Sequence, residues 1–553
     1  MRLLRTSLAA LAISSLPAAL PAQEAGADLV VYGRVWTGDP TNPWADAVAV
    51  RGDRIVAVGQ RRFILRYVGR GTRILDNGRN LVVPGFGDAH THFVSGGFQL
   101  VSVDLRDAST PAEFIDRIAV FARTLPPDQW ITGGDWDHER WPGATLPRRD
   151  WIDSVTPNKP VFVNRLDGHM GVANSLALRL AGITRETRDP PGGEIVRDAN
   201  GEPTGVLKDN AMDAIWRVIP PPTAEMQDSA LGRAMRFAAS QGVTSVHVMG
   251  DWSDFAAFRR ARSRDALITR IRAYVPIETW RRLADTVRVA GRGDDWLSWG
   301  GLKAFMDGSL GSTTAAFYRP YLDAPNTSGL LVTDSAARRS QIISADSAGL
   351  QLAIHAIGDR ANAMLLTFFE QAAGANPRRD RRFRIEHAQH LRMEDIRRFG
   401  AGGIIPSMQP YHVIDDGRWA GNRLDTARLR GTYAFRSLLA SNARLAFGSD
   451  WTVAPLDPIQ GIYAAVTRRT LDGRHPDGWF PEQKITIEEA LRAYTMGVAR
   501  AGFQEERLGM LRNGMLADLV LLDSDLFRLP PPMLKDARVQ ATVVGGRVVF
   551  ERR

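Results

Sequence analysis

Two histidines, His90 and His92, close the apolar run LVVPGFGDAHTH at 81–92. On a strand, residues i and i+2 face the same side, so both imidazoles would enter one space. On a helix they would diverge by about 200°. Other apolar runs end in matching groups. His355 ends LQLAIHAIGD (350–359), His387 ends RFRIEHAQ (382–389) and Asp450 ends ARLAFGSDW (443–451). Four imidazoles and a carboxylate converging on one mouth suit Zn2+ or a similar first-row ion. Any one such histidine has a plain alternative as a hydrogen-bonded structural group. Five groups at corresponding strand ends make that alternative weak for the set.

Lys303, inside GLKAFMDGS (301–309), is the odd member. An ammonium among imidazoles and a dication would be repelled. It either snorkels to water or pairs with Asp307, or it carries carbon dioxide on its amine and so becomes an anionic bridge between two metals. An arginine could not do the latter, because its guanidinium stays charged. The chemistry alone favours neither account.

These residues need a scaffold that brings strand ends together. Three further runs, VTSVHVMG (243–250), RIRAYVPI (270–277) and GGIIPSMQP (402–410), bring the strand-like segments to eight, most of them followed by helix-length spacers. Eight strand-then-helix units predict an α/β chain built on a (β/α)8 barrel, whose sites lie at the C-terminal strand ends. The stretch 94–242 is too long for a strand–helix connection and reads as an inserted lobe covering the barrel mouth. Period-two patterns at both ends, with turns at Gly52-Asp53 and Gly545-Gly546, predict a small β-sandwich domain shared by 28–80 and 505–553. The barrel then occupies 81–504, and TIEE places a capping box at Thr486 and Glu489.

Composition narrows the function classes. The 553-residue chain has no cysteine, which removes disulfides, cysteine nucleophiles, cysteine zinc sites and iron–sulfur clusters. Its net charge of +9 comes from scattered arginine pairs such as Arg259-Arg260 and Arg397-Arg398, a solvated surface and not a nucleic-acid footprint. Lysine is scarce: Lys159, Lys208, Lys303, Lys484 and Lys535 are all there are. Residues 1–22 read as a signal peptide, with Arg2 and Arg5 before an uncharged run from Leu8 to Leu20 and cleavage after Ala22 or Ala27. The expected location is therefore outside the cytoplasm, in the periplasm. With no cysteine to acylate and no second long apolar run, no membrane anchor is expected.

The ordered set of motifs resembles the amidohydrolase superfamily, and within it amidohydrolase family 3, the YtcJ-like group. PGFGDAHTHF resembles the family's first-strand motif, and GLKAFMDGSLGSTTA its fourth-strand segment. HAIGDRAN, RIEHAQ and GSDWTVAP resemble the segments of strands five, six and eight, and GMLADLVLLD with GGRVVF the C-terminal strands. The resemblance implies a binuclear zinc hydrolase acting on a non-peptide, amide-type C–N bond of a small molecule. By position, His90 and His92 bind the more buried metal and His355 and His387 the more exposed one. Carboxylated Lys303 bridges both, and Asp450 binds a metal and serves as general base. A bridging hydroxide attacks the carbonyl. An ester or lactone hydrolase shares this chemistry, and a catalytically inactive binding module is the non-enzyme alternative. Deaminase-type relatives carry a glutamate three residues after the fifth-strand histidine and lack the lysine. Here Gly358 holds the glutamate position, against a mononuclear deaminase. The resemblance allows a homodimer, with no interface fixed by the sequence.

Secondary candidates follow. His169, in DGHMGVANSLAL of the lobe, matches a family segment and is expected to orient substrate or to make a structural hydrogen bond. Asp307, Asp359 and Gln409 follow or close strand ends and either orient ligands or cap loops. Asn174 reads as a helix cap. His247 reads as barrel filling, and His138, His390, His412 and His475 carry no argument of their own. Trp136, Trp141 and Phe162 line an apolar pocket or are plain core.

Overall fold

The computed structural model describes residues 26–126 and 129–552. The signal-peptide reading of residues 1–22 lies outside them. Among the described residues no helix is long and apolar enough to cross a membrane.

Eight parallel strands run β1 (Phe86–Thr91), β2 (Val243–Met249), β3 (Arg270–Pro276), β4 (Leu297–Phe305), β5 (Gln351–Ala356), β6 (Arg384–His387), β7 (Ile405–Met408) and β8 (Ala446–Phe447). They are hydrogen-bonded in sequence order. The ring closes just past β8, where Asp450 N–H donates to His90 O at 2.7 Å and His92 N–H to Trp451 O at 2.6 Å. Each predicted strand segment contributes one of these strands. Their near-continuous apolar composition follows from burial on both faces, by side chains inside the ring and helices outside. Helices such as Trp252–Ser263, Ser335–Ser347 and Asp359–Ala375 alternate with the strands. The helix Ile487–Tyr494 starts with the predicted capping box between Thr486 and Glu489.

Both chain ends join one seven-stranded mixed sheet, in the order Arg547–Glu551, Val539–Val544, Leu519–Leu522, Arg73–Pro84, Leu29–Trp36, Trp44–Arg51 and Arg54–Gly59. Leu29, Val48, Val82, Leu519 and Val543 share one apolar layer on it. A buried, two-pronged pair ties this sheet to the barrel: Arg270 Nε and one terminal nitrogen each donate to Asp518 at 2.8 Å.

The inserted stretch 94–242 holds a six-stranded sheet over Val103–Asp104, Ile131–Trp136, Val161–Arg165, Met170–Ala173, Gly193–Arg197 and Pro203–Asp209. Trp136, Trp141 and Phe114 form its core, and Phe162 is fully buried beneath Trp216, so the lobe aromatics singled out in the sequence are interior packing. Asn174 caps the helix Ser175–Leu180 as expected, accepting from Ala177 N–H at 2.9 Å. The stretch ends in the helix Ala224–Ser240, which packs against the helix Phe93–Gln99 that follows β1. A side chain at Gly97 would collide with the Ala230 carbonyl, so glycine is what lets these helices approach.

Candidate metal centre

The barrel's strand ends gather His90, His387 and Asp450 so closely that one potential ligand atom from each lies within 4.8 Å of the others. His90 Nε2 is 3.4 Å and His92 Nε2 3.2 Å from Asp450 Oδ1. His92 stands one residue beyond β1, as the residue preceding the next helix. The His387 ring lies 5.0 Å from that of His90 and 4.6 Å from that of His355, centroid to centroid. Lys303 Nζ is 3.3 Å from His90 Nε2 and sits 4.4 Å over the Phe305 ring. The six residues expected to hold metal therefore share one mouth, and all line the same cavity of about 1220 Å3.

Backbone conformation helps to aim them. Arg384 and Glu386 both reach the barrel interior, as period-two alternation requires. His387 would then face outward, but its φ of 72° breaks the alternation and turns its ring inward beside Glu386. Asp450 is left-handed too, at φ 59°. For residues other than glycine such conformations cost about 1–3 kcal/mol each, and they concentrate at functional sites.

The partners behind the rings set which nitrogen is free. His90 Nδ1 lies 2.6 Å from Glu386 Oε2, and His387 Nδ1 lies 2.8 Å from Gln409 Oε1. An acceptor at Nδ1 holds the proton there and leaves the Nε2 lone pair facing the cluster. His355 is reversed: its Nε2 lies 3.0 Å from the Gly308 carbonyl and 3.6 Å from Asp307 Oδ1, which leaves Nδ1 as its free nitrogen. Asp307 in turn accepts N–H groups of Ala316, Ile357 and Gly358, and burial pushes its carboxyl up to about 7. Asp359 sits elsewhere. It accepts Tyr318 N–H at 2.9 Å at the start of its helix and does not line the cavity, so its observed contact clips a loop.

Electrostatics match metal ligation. Burial, then the Lys303 charge, pushes the His90 imidazole well below its ordinary range, and burial does the same to His355 and His387. Neutral imidazoles are the ligating form. Burial would raise the Asp450 carboxyl, but His90 and His92 more than offset it and hold it well below the usual carboxylate range. Burial lowers the Lys303 amine to about 8. Asp450 Oδ1 is buried without a hydrogen-bond partner. Imidazole nitrogens at 3.2 and 3.4 Å from an ionised carboxylate oxygen, all at one mouth, are a donor set that fits a divalent metal.

His169 reaches over the mouth from the lobe. Its ring is 4.9 Å from that of His355, and its Nδ1 lies 2.6 Å from Asp209 Oδ1. Burial would lower its pKa, but the Asp209 carboxylate raises it overall.

Sequence reasoning passed over several residues here. Glu386 is next to His387 in RIEHAQ, and an acid beside a ligand was the available signal. Asp209 lies 40 residues from His169, and only the lobe sheet joins them. Asp88 binds the N–H groups of His90 and Ser449, pinning β1 to the end of β8. His412, set aside in the sequence, lines the cavity with its ring stacked 6.5 Å from that of His387. His247 is interior filling, accepting from Arg384 at 2.8 Å.

The chain is similar to known proteins over most of its length. The model of the amidohydrolase family matches residues 75–550. The chain is 41% identical to Protein LONG AFTER FAR-RED 3 of Arabidopsis thaliana (94% of this chain, 91% of that one). It is 31% identical to the putative amidohydrolase YtcJ of Bacillus subtilis (94% and 98%). It is 29% identical to the N-substituted formamide deformylase of Arthrobacter pascens (95% and 98%). Among solved structures, an uncharacterized metal-dependent hydrolase from Pyrococcus horikoshii superposes with a TM-score of 0.74 at 28% identity (91% and 99%).

Proposed function

Given that this chain belongs to the amidohydrolase family, a family of metal-dependent hydrolases acting on small molecules, we propose that it hydrolyses a non-peptide, amide-type C–N bond. The observation that carries this is the buried, unpartnered Oδ1 of Asp450 facing His90 and His92, with His387 in the same cluster. The deformylase relative, whose name specifies an amide-type substrate, supports the choice of bond.

His90, His92, His355, His387, Asp450 and Lys303 would hold zinc, as a pair of ions. When bound, such ions supply water activated near neutral pH and polarise a carbonyl. Lys303, lowered to about 8 by burial, is neutral in about a tenth of molecules at pH 7, and the neutral amine is the form that adds carbon dioxide. The ammonium first loses one proton, the neutral nitrogen then bonds the carbon and a second N–H proton leaves, so an anionic N-carboxylate replaces the cation and removes the charge conflict with His90. Asp450, ionised and aimed into the cavity, accepts a proton from water and passes it to the departing amine. Glu386 and Gln409 keep the His90 and His387 lone pairs pointing inward. His169, braced by Asp209, donates to the substrate and orients it. Export to the periplasm is proposed on the sequence of residues 1–22 alone.

The test is a screen of the zinc-loaded protein against N-substituted formamides, N-acyl amino acids, aryl amides, lactones and aminated heterocycles. Release of an amine from one of the amides is expected. Turnover of lactones alone, or ammonia release from the heterocycles alone, would overturn the amide assignment.

A further inference from the structure

The cavity over Asp450 is larger than the centre needs. Its 1220 Å3 exceeds the roughly 300–1,000 Å3 of ordinary small-molecule sites. Its lining divides in two. One part carries charge, with Asp135, Asp167 and Arg165, and meets the other part where Gln99 donates to Asp135. The segments 98–102, 121–125, 129–132 and 212–226 supply a different wall, made chiefly of Phe98, Phe121, Trp130, Met212, Trp216 and Met226. Among the described lining residues of those segments Asp213 is the only charge.

This wall is open to water where apolar groups should be covered. Val101 is 55% exposed, Trp216 44% and Met226 49%. Large apolar side chains left exposed together mark a surface with an occupant. Pro220, Pro221 and Pro222 complete the rim, with fixed φ and no N–H to offer a polar ligand. One face of Trp216 is fixed edge-on against buried Phe162, at 5.0 Å. The wall belongs to the same concavity as the metal centre and is not a separate flat face, which favours part of a substrate over a second protein.

We infer that the natural substrate carries a lipophilic alkyl or aryl group that lies along Phe98, Trp130 and Trp216 while its amide faces Asp450. This deepens the amide-hydrolase reading and rests on it.

Binding to the metal-free full-length protein, measured by titration calorimetry, separates the two. One series is N-butyl-, N-hexyl- and N-octylformamide, and the other carries the same chains on the carbonyl side of N-methyl amides. In at least one series affinity should tighten about three- to fourfold per methylene. The series that responds shows which side of the amide enters the apolar wall. Trp216→Ala should flatten the response, and so should Val101→Asp, placed at an exposed position where folding is spared. Flat affinity in both series overturns the inference even if short amides are hydrolysed. A steep response without hydrolysis of any member overturns only the amide-hydrolase reading. If Val101→Asp instead splits a dimer in sedimentation and leaves the response steep, the rim is a subunit interface and the inference falls.

Discussion

The two ends of the barrel bury charge in opposite ways. At the floor, all three guanidinium nitrogens of Arg384 are used, on Glu386, His247, Tyr274, Ser407 and the Ala89 carbonyl. Arg272 and Tyr274 share the Gln351 carbonyl oxygen, and the Gln351 amide donates onward to the carbonyls of Arg382 and Ala501. At the mouth, a few residues past the strands' middles, Asp450 Oδ1 has no hydrogen-bond partner, and His90 Nε2 and His92 Nε2 lie 3.4 and 3.2 Å from it. Apart from the partly exposed His92, the mouth residues are buried much as the floor is, so burial alone does not distinguish scaffold from site. The charged groups do: at the floor the guanidinium and carboxylate are fully bonded and the unpartnered atom, His247 Nε2, is on a neutral ring, whereas at the mouth the unpartnered atom is a carboxylate oxygen suited to a cation. Glu386 stands between them, accepting from Arg384 and backing His90.

The contrast can be broken from either end. Asp450→Asn should lower turnover by about 10²–10⁴-fold while the metal-free protein keeps its fold and still melts in one cooperative transition. Steady-state kinetics and a circular-dichroism melt read both. Arg384→Met should do the reverse at the floor. It strands Glu386 and costs about 3–5 kcal/mol in urea unfolding, more than any single mouth substitution. Glu386→Gln tests the link and should weaken zinc binding about 10–100-fold in chelator competition. Gln409→Leu, which removes a neutral acceptor from His387, should fall at the lower end, about tenfold by the same assay.

Much of this division was legible in the sequence, for a physical reason. Parallel strands buried on both faces read as apolar runs, and the polar residue ending each run marks the mouth. That is how His90, His355, His387, Asp450 and Lys303 stand out, and why all eight strands do. The floor was hidden by the same logic. Arg384 and Glu386 lie within a run already explained by His387, and their partners come from four other strands. The inward turn of His387 depends on a left-handed φ that no residue type announces. His412 and Asp209 owe their places to a helix after β7 and to the lobe sheet, both tertiary facts. The lobe's length signalled a cover over the mouth, but not that its junction with the barrel would leave an apolar wall.

The open network at the mouth is tested most directly by counting zinc. Full-length protein and its Lys303→Arg variant, purified from zinc-supplemented medium, are compared by elemental mass spectrometry. The account predicts about two zinc ions per wild-type chain and at most about one in the variant, because a guanidinium cannot become the bridging carboxylate. Wild-type protein without zinc, or a variant that keeps the full complement, would contradict it.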